Sequence, residues 1–145
     1  MAAAAAVLAA VIPAAGCGKD ERPLPAACTR GSHAIAAALK HAPGPVRLAG
    51  GTRLSTCIER ARSDADLQTV GAVYTQVADS LATEAPRDDR AALQLGYLVG
   101  AVRRGASKTA GIHYELERRV EQELNGVDAG SPEFTRGERA GEASG

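Results

Sequence analysis

Four basic residues in the second half of the chain have the types and spacing of an anion site. Arg103 and Arg104 follow a long apolar stretch, and Lys108 and His113 flank the start of the next predicted helix. A helix N-terminus offers unpaired backbone N–H groups and a partial positive charge, to which converging basic side chains would add. The spacing therefore predicts a site for a carboxylate or phosphate group. The alternative is that the two arginines are simply favourable cations at a helix C-terminus.

Motifs for other kinds of site chemistry are missing from the sequence. The chain has no G-x-S-x-G, G-x-x-x-x-G-K-[ST], H-E-x-x-H or C-x-x-C motif. The remaining histidines, His33 and His41, lie eight residues apart around a helix that Pro43 ends, so a shared metal site is not expected. A Cys or Ser nucleophile needs a positioned base, and no spacing indicates one. The sequence thus predicts no catalytic residue, no metal ligand and no cofactor.

An apolar run at residues 2–12, ended by Pro13, has the length of a signal-peptide core and is too short to span a membrane. The residues that follow are Ala-Ala-Gly-Cys, with the cysteine at position 17. Small residues before a cysteine resemble the lipobox of bacterial lipoprotein precursors. The resemblance covers residues 1–17 and implies that Cys17 receives a lipid and becomes the mature N-terminus. It also implies an exported protein, held at the outer face of the cell membrane.

The same residues also fit an ordinary signal-peptidase site, because Ala14 and Gly16 satisfy its preference for small side chains. Cleavage there would release a secreted protein. In both cases residues 1–16 are the predicted signal peptide. Residues 17–27 are charged and contain proline, so we expect them to form a tether between the membrane and the domain.

The count of three cysteines bears on the fold as well as on export. If Cys17 carries the lipid, Cys28 and Cys57 remain as a pair in an oxidising compartment, where a disulfide is expected. Closing a loop of roughly 30 residues would contribute about 3–4 kcal/mol to the free energy of unfolding. The alternative is two buried free thiols.

Hydrophobic periodicity predicts four or five helices between residues 28 and 125, and hence a small all-α bundle tied by the disulfide. The first helix follows Ser32 and ends near Lys40, and the second follows Thr52. Ser63 and Asp66 have the spacing of a capping box and indicate the start of the third. Its inner stripe is Leu67, Val70, Tyr74, Val77 and Leu81.

The fourth predicted helix is opened by Pro86 and is apolar on nearly every side from Ala91 to Val102, which is typical of a central helix. Gly96 and Gly100 would let a neighbouring helix approach it closely. The last predicted helix runs from residue 112 to 124, with Glu115 and Arg119 paired across one turn. Its expected inner stripe is Ile112, Leu116, Val120 and Leu124. Residues 126–145 are polar and rich in glycine and are predicted to be a disordered tail.

Charge is balanced over the whole chain, with 17 basic and 17 acidic residues, so a nucleic-acid partner is not expected. The distribution is uneven, however. Residues 28–62 hold six Lys and Arg against one acid, whereas residues 111–145 hold eight acids against four arginines. This pattern indicates either intramolecular complementarity or a binding face.

We interpret the chain as a binding or interaction module whose partners are the membrane, through the N-terminal lipid, and an anionic envelope ligand or a protein. The first alternative is a small exported enzyme with an unfamiliar site. The second is a carrier of haem or another small ligand, which would need a cavity in the core and an inward ligand such as His113 or Tyr97. A binding module would instead have a filled core and a groove or apolar patch on its surface.

Overall fold

A computed structural model describes residues 22–109 and 111–145 of the chain. The predicted signal peptide and Cys17 lie outside these residues. The described backbone is helical, so the predicted all-α bundle is confirmed. Its elements are α1 (Ser32–Leu39), α2 (Leu54–Arg60), α3 (Asp64–Glu84), α4 (Asp89–Ser107), α5 (His113–Gln122) and α6 (Pro132–Ser144), with short 3-10 segments at Ala26–Thr29 and Ala49–Gly51.

Local hydrogen bonds set the start of the two longest helices. The Ser63 hydroxyl accepts from the Asp66 backbone N–H, and the Asp66 carboxylate accepts from the Ser63 backbone N–H, which is the predicted capping box. At α4 the Asp88 carboxylate accepts from the Arg90 N–H at 2.8 Å. Helix α4 therefore begins at Asp89, and Pro86 lies in the preceding turn rather than at the helix start.

Helix α4 is the centre of the bundle, as its sequence predicted. It contacts each of the other five helices. Between Ala91 and Val102 every residue except Gln94 is buried. An element surrounded on all sides must be apolar all round, which explains the nearly unbroken apolar run in its sequence. None of the helices in residues 22–109 and 111–145 combines the length and the apolar character that crossing a membrane requires.

The predicted disulfide between Cys28 and Cys57 is confirmed, with 5.5 Å between the two Cα atoms. Both residues are buried. The bridge joins the 3-10 segment that precedes α1 to the middle of α2. It therefore holds the beginning of the described chain against the bundle.

The prediction of a disordered tail at residues 126–145 is wrong, because Pro132–Ser144 forms the well-packed helix α6. Gly137 and Gly141 of α6 face Gly96 and Gly100 of α4 at backbone contact distance. A Cβ atom on Gly137 would collide with the Leu93 carbonyl oxygen, and one on Gly96 with the Phe134 carbonyl oxygen. Apart from Phe134, which is buried, the tail has no large apolar side chains. Its helix packs through backbone contacts, so the sequence has no hydrophobic pattern that would have predicted the helix.

We predict that Gly137→Ala destabilises the protein strongly, because its methyl group has no space unless α4 and α6 separate. Such overpacking costs about 1–3 kcal/mol or more. Gly71→Ala is the matched control. A Cβ atom at position 71 would lie 2.8 Å from the end of the Leu116 side chain, which can rotate aside. There the helix propensity gained by alanine, about 1 kcal/mol, offsets the crowding. Urea unfolding followed by circular dichroism measures both, and equal stability of the two variants would contradict this contact.

Candidate functional site

Three of the four residues predicted to bind an anion lie together in the structure. Arg103, Arg104 and Lys108 line an open depression where α4 ends, with Ser107 and Glu142 completing its walls. Both arginines thus lie near the end of the apolar helix α4, as the spacing predicted. Their charges, however, already have partners within the protein.

Arg103 joins three helices through carboxylates. Its guanidinium nitrogens lie 2.6 Å from a carboxylate oxygen of Glu121 in α5 and 3.8 Å from one of Glu117, and they contact Glu138 in α6. Burial lowers the pKa of Arg103, but the hydrogen bond and charge of Glu121, with the charges of Glu138 and Glu117, outweigh it and raise the pKa. Arg103 therefore acts as the cation of an ion-pair cluster between α4, α5 and α6.

Arg104 and Lys108 are also engaged. One guanidinium nitrogen of Arg104 donates to the carbonyl oxygens of Glu142 at 2.5 Å and Ala143 at 2.9 Å, which satisfies orphan acceptors at the end of α6. The Lys108 ammonium lies 2.7 Å from a carboxylate oxygen of Glu59 in α2. Both contacts tie α4 to its neighbours. Anion binding in this depression stays a prediction.

His113 does not join the other three residues. Its ring is 6% exposed, and Nε2 lies 2.9 Å from the carbonyl oxygen of Ala61, to which it donates. Nδ1 is buried and has no hydrogen-bond partner among the described residues. The contact with Ala61 turns His113 inward at the first turn of α5, so the predicted convergence of His113 with the arginines is wrong.

The orientation of α5 also corrects its predicted inner stripe. Leu116 and Val120 are buried and Leu124 is partly buried, but Ile112 is 56% exposed. Ile112 precedes the helix as its N-cap, after the turn at Gly111, and His113 takes the buried position instead. The predicted pair of Glu115 and Arg119 is present at 3.1 Å.

The hydroxyl of Tyr97, the other proposed inward ligand, is also hydrogen-bonded within the protein. Its hydroxyl accepts from the Val46 backbone N–H at 3.2 Å and lies 3.1 Å from the Ser144 hydroxyl. Tyr97 thereby connects α4 to the chain after α1 and to α6. In the part of the chain that the structure describes, no three His, Cys, Asp or Glu side chains are grouped in a way that could hold a metal ion.

An apolar surface at the start of α5 was missed by the sequence analysis. Ile112 and Tyr114 are each 56% exposed and are the large hydrophobic side chains that the described structure leaves in solvent. Ile112 borders a groove between α3 and α5 that also contains Leu67 and Leu116. We call Ile112, Tyr114 and this groove the α5 patch. Tyr114 could have been noticed as the one aromatic residue on the charged side of a strongly amphipathic helix.

We predict that Arg103→Gln destabilises the protein by about 1 kcal/mol at pH 7, the magnitude of a partly exposed charge network. Burial, and the charge of Glu121, raise the pKa of Glu117 above its usual 4.5, while Arg103 opposes this rise. Without Arg103 the pKa of Glu117 rises further. A carboxyl group whose pKa is higher in the folded than in the unfolded protein destabilises the fold once the pH exceeds its unfolded-state pKa. The stability deficit of Arg103→Gln should therefore shrink from pH 7 to pH 4.

Adding Glu117→Gln to Arg103→Gln should restore part of the lost stability, because it removes one of the carboxylates left without a cation. Urea unfolding at pH 4 and pH 7 measures both effects. A deficit of the same size at the two pH values would mean that Arg103 acts through packing rather than through charge.

Comparison with known proteins gives no further guide to this surface, because no protein-family model, curated protein or solved structure is significantly similar to the chain.

Proposed function

We propose that this chain is an exported interaction module, held at the outer face of the cell membrane by a lipid on Cys17, that binds a protein partner through the α5 patch. The observation that carries the binding function is that Ile112, 56% exposed, borders the apolar groove with Leu67 and Leu116, while Tyr114, also 56% exposed, lies two residues further along the chain. An interaction site is the usual reason for large apolar groups to be grouped on a surface.

The size of the groove favours a protein side chain over a small molecule as its occupant. Its volume is about 190 Å³, below the roughly 300–1,000 Å³ of most small-molecule sites. Leu67, Ile112 and Leu116 offer it apolar walls, whereas Asp64, Glu115 and Arg119 surround them. An apolar centre with a charged rim is the usual arrangement at protein interfaces, where tyrosine is enriched among the residues that dominate binding.

The interior of the domain supports the same choice. Tyr97 and His113 were the inward-facing groups on which a ligand carrier could have relied. Their hydroxyl and Nε2 atoms are instead engaged with Val46, Ser144 and Ala61. We therefore place the function on the surface of the bundle rather than in its core.

The pairing of the cysteines supports export and lipidation. The bond between Cys28 and Cys57 is expected to persist in an oxidising compartment. It also leaves Cys17 as the one cysteine of the sequence outside that pair, in the position that the lipobox resemblance assigns to the lipid.

We predict that Cys17→Ser moves the protein out of the membrane fraction when it is produced in the native host. Intact-mass analysis of the wild-type protein should find an N-terminal Cys17 that carries acyl chains. Cys28→Ala with Cys57→Ala is the matched control, because it removes the disulfide and should leave the protein attached. A soluble wild-type product with an unmodified Cys17 would contradict anchoring while leaving export possible.

We predict that a photo-crosslinking residue at position 114 captures one defined protein in intact cells, and that Ile112→Ser abolishes the product. The same crosslinker at Gln122, an exposed position at the other end of α5, is the control and should give no such product. Mass spectrometry identifies the captured protein, and binding of its purified form to the wild-type domain but not to the Ile112→Ser variant confirms it. Crosslinks that are equal at positions 114 and 122 would refute the α5 patch as an interface.

A further inference from the structure

A cationic surface surrounds the place where the chain enters the bundle. From residue 22 to residue 58 the sequence contains no Asp or Glu. The same stretch contains five Lys and Arg residues and two histidines: Arg22, Arg30, His33, Lys40, His41, Arg47 and Arg53. The 3-10 segment, α1 and the turn that follows α1 all belong to this acid-free stretch.

Three residues of this stretch, two arginines and a histidine, lie on one surface. Arg30, His41 and Arg47 lie around a shallow groove between the 3-10 segment, α1 and the turn before α2, and no carboxylate is among the groove's lining residues. Arg30 and His41 are exposed, and one guanidinium nitrogen of Arg47 donates to the carbonyl oxygens of Val46 and Ser144. The rest of the lining is small or apolar: Ala27, Ala34, Ala37, Ala38, Leu48 and Ala49. We call this surface the α1 face.

The other side of α1 has a different character. His33 and Lys40 border a groove that also contains Glu84. A carboxylate there offsets part of the positive charge, whereas the α1 face has none. The cationic surface is therefore directed to the Arg30 side of the helix.

The chain that leads to the lipidation site starts beside the α1 face. Ala27 lines the groove, and Cys17 lies ten residues earlier in the sequence. Ten extended residues span at most about 35 Å. A lipid on Cys17 would keep the α1 face within that distance of the headgroups, which raises its effective concentration at the membrane surface.

We propose that the α1 face docks on anionic lipid headgroups of the membrane that carries the anchor; this inference rests on the proposed lipid at Cys17. Charge complementarity selects the headgroups, and the small alanine side chains allow the basic groups to approach a flat surface. Docking directs α1 toward the membrane. The α5 patch lies at the opposite end of α3 from α1, because its groove includes Asp64 and Leu67 whereas α1 packs near Val77 and Leu81.

The test uses the lipidated protein reconstituted into vesicles, with one new labelled cysteine. A fluorophore at Ala37→Cys, an exposed position of the α1 face, reports contact with headgroup-attached quenchers, and Ala72→Cys on α3 is the reference position. In vesicles of phosphatidylglycerol and phosphatidylcholine we expect quenching at position 37 and not at position 72. Vesicles of phosphatidylcholine alone, or 1 M salt, which shortens the screening length to about 3 Å, should abolish it.

Arg30→Gln should lower the ratio of docked to undocked protein by about fivefold, the effect of one basic residue near an anionic membrane. Arg139→Gln removes an arginine of α6 that is also exposed and should leave the ratio unchanged. Equal quenching at positions 37 and 72 would overturn the docking proposal. Quenching at position 37 that neither Arg30→Gln nor 1 M salt reduces would also overturn it.

Failure of the anchor would be seen separately, as protein that does not co-float with vesicles of phosphatidylcholine alone. If protein purified from the native host lacks the lipid but still binds phosphatidylglycerol vesicles in a way that Arg30→Gln weakens, the α1 face is supported and the lipid on Cys17 is refuted. If lipidated protein co-floats without quenching at position 37, the anchor is supported and the docking proposal is refuted.

Discussion

The structure depends on the direct backbone contact between α4 and α6. Gly96 and Gly100 on one helix meet Gly137 and Gly141 on the other, and a side chain at any of the four positions would collide with the carbonyl oxygen of the opposite helix. Helices that approach this closely gain dispersion contacts along their whole backbones and can form Cα–H···O contacts. A chain with few aromatic residues thus builds a tight core without large side chains.

This contact also organises polar groups from the rest of the bundle around the end of α6. The Ser55 hydroxyl donates to the Gly145 carbonyl oxygen at 2.7 Å, and Arg47 donates to the carbonyl oxygen of Ser144 at 2.8 Å. Arg104 donates to two further carbonyls of the same turn. The last carbonyl groups of a helix lack partners of their own, so side chains from α2, α4 and the turn after α1 satisfy them. Arg104, one of the residues of the predicted anion site, thereby also helps to close the bundle.

The long helix α3 separates the α5 patch from α1. Groove residues of the α5 patch lie near its start and the α1 contacts lie near its end, from Asp64 to Ser80. At 1.5 Å per residue these positions are about 20–25 Å apart along the helix. The disulfide holds the chain before α1 against α2. The α1 face and the α5 patch thus lie toward opposite ends of α3.

The sequence by itself determined the features that depend on near neighbours. The capping box of Ser63 and Asp66, the stripe from Val70 to Leu81 and the apolar character of α4 follow from residues within one or two helical turns. The disulfide followed from counting cysteines. Tertiary structure alone decided the order of α6, the inward position of His113 and the roles of Arg103 and Arg104. Their partners lie 14 to 90 residues away along the chain, as in the pairs Arg103–Glu117 and Ser55–Gly145. Backbone contacts at glycine leave no hydrophobic pattern in the sequence. The partner of a basic side chain on another helix is defined only when the helices pack.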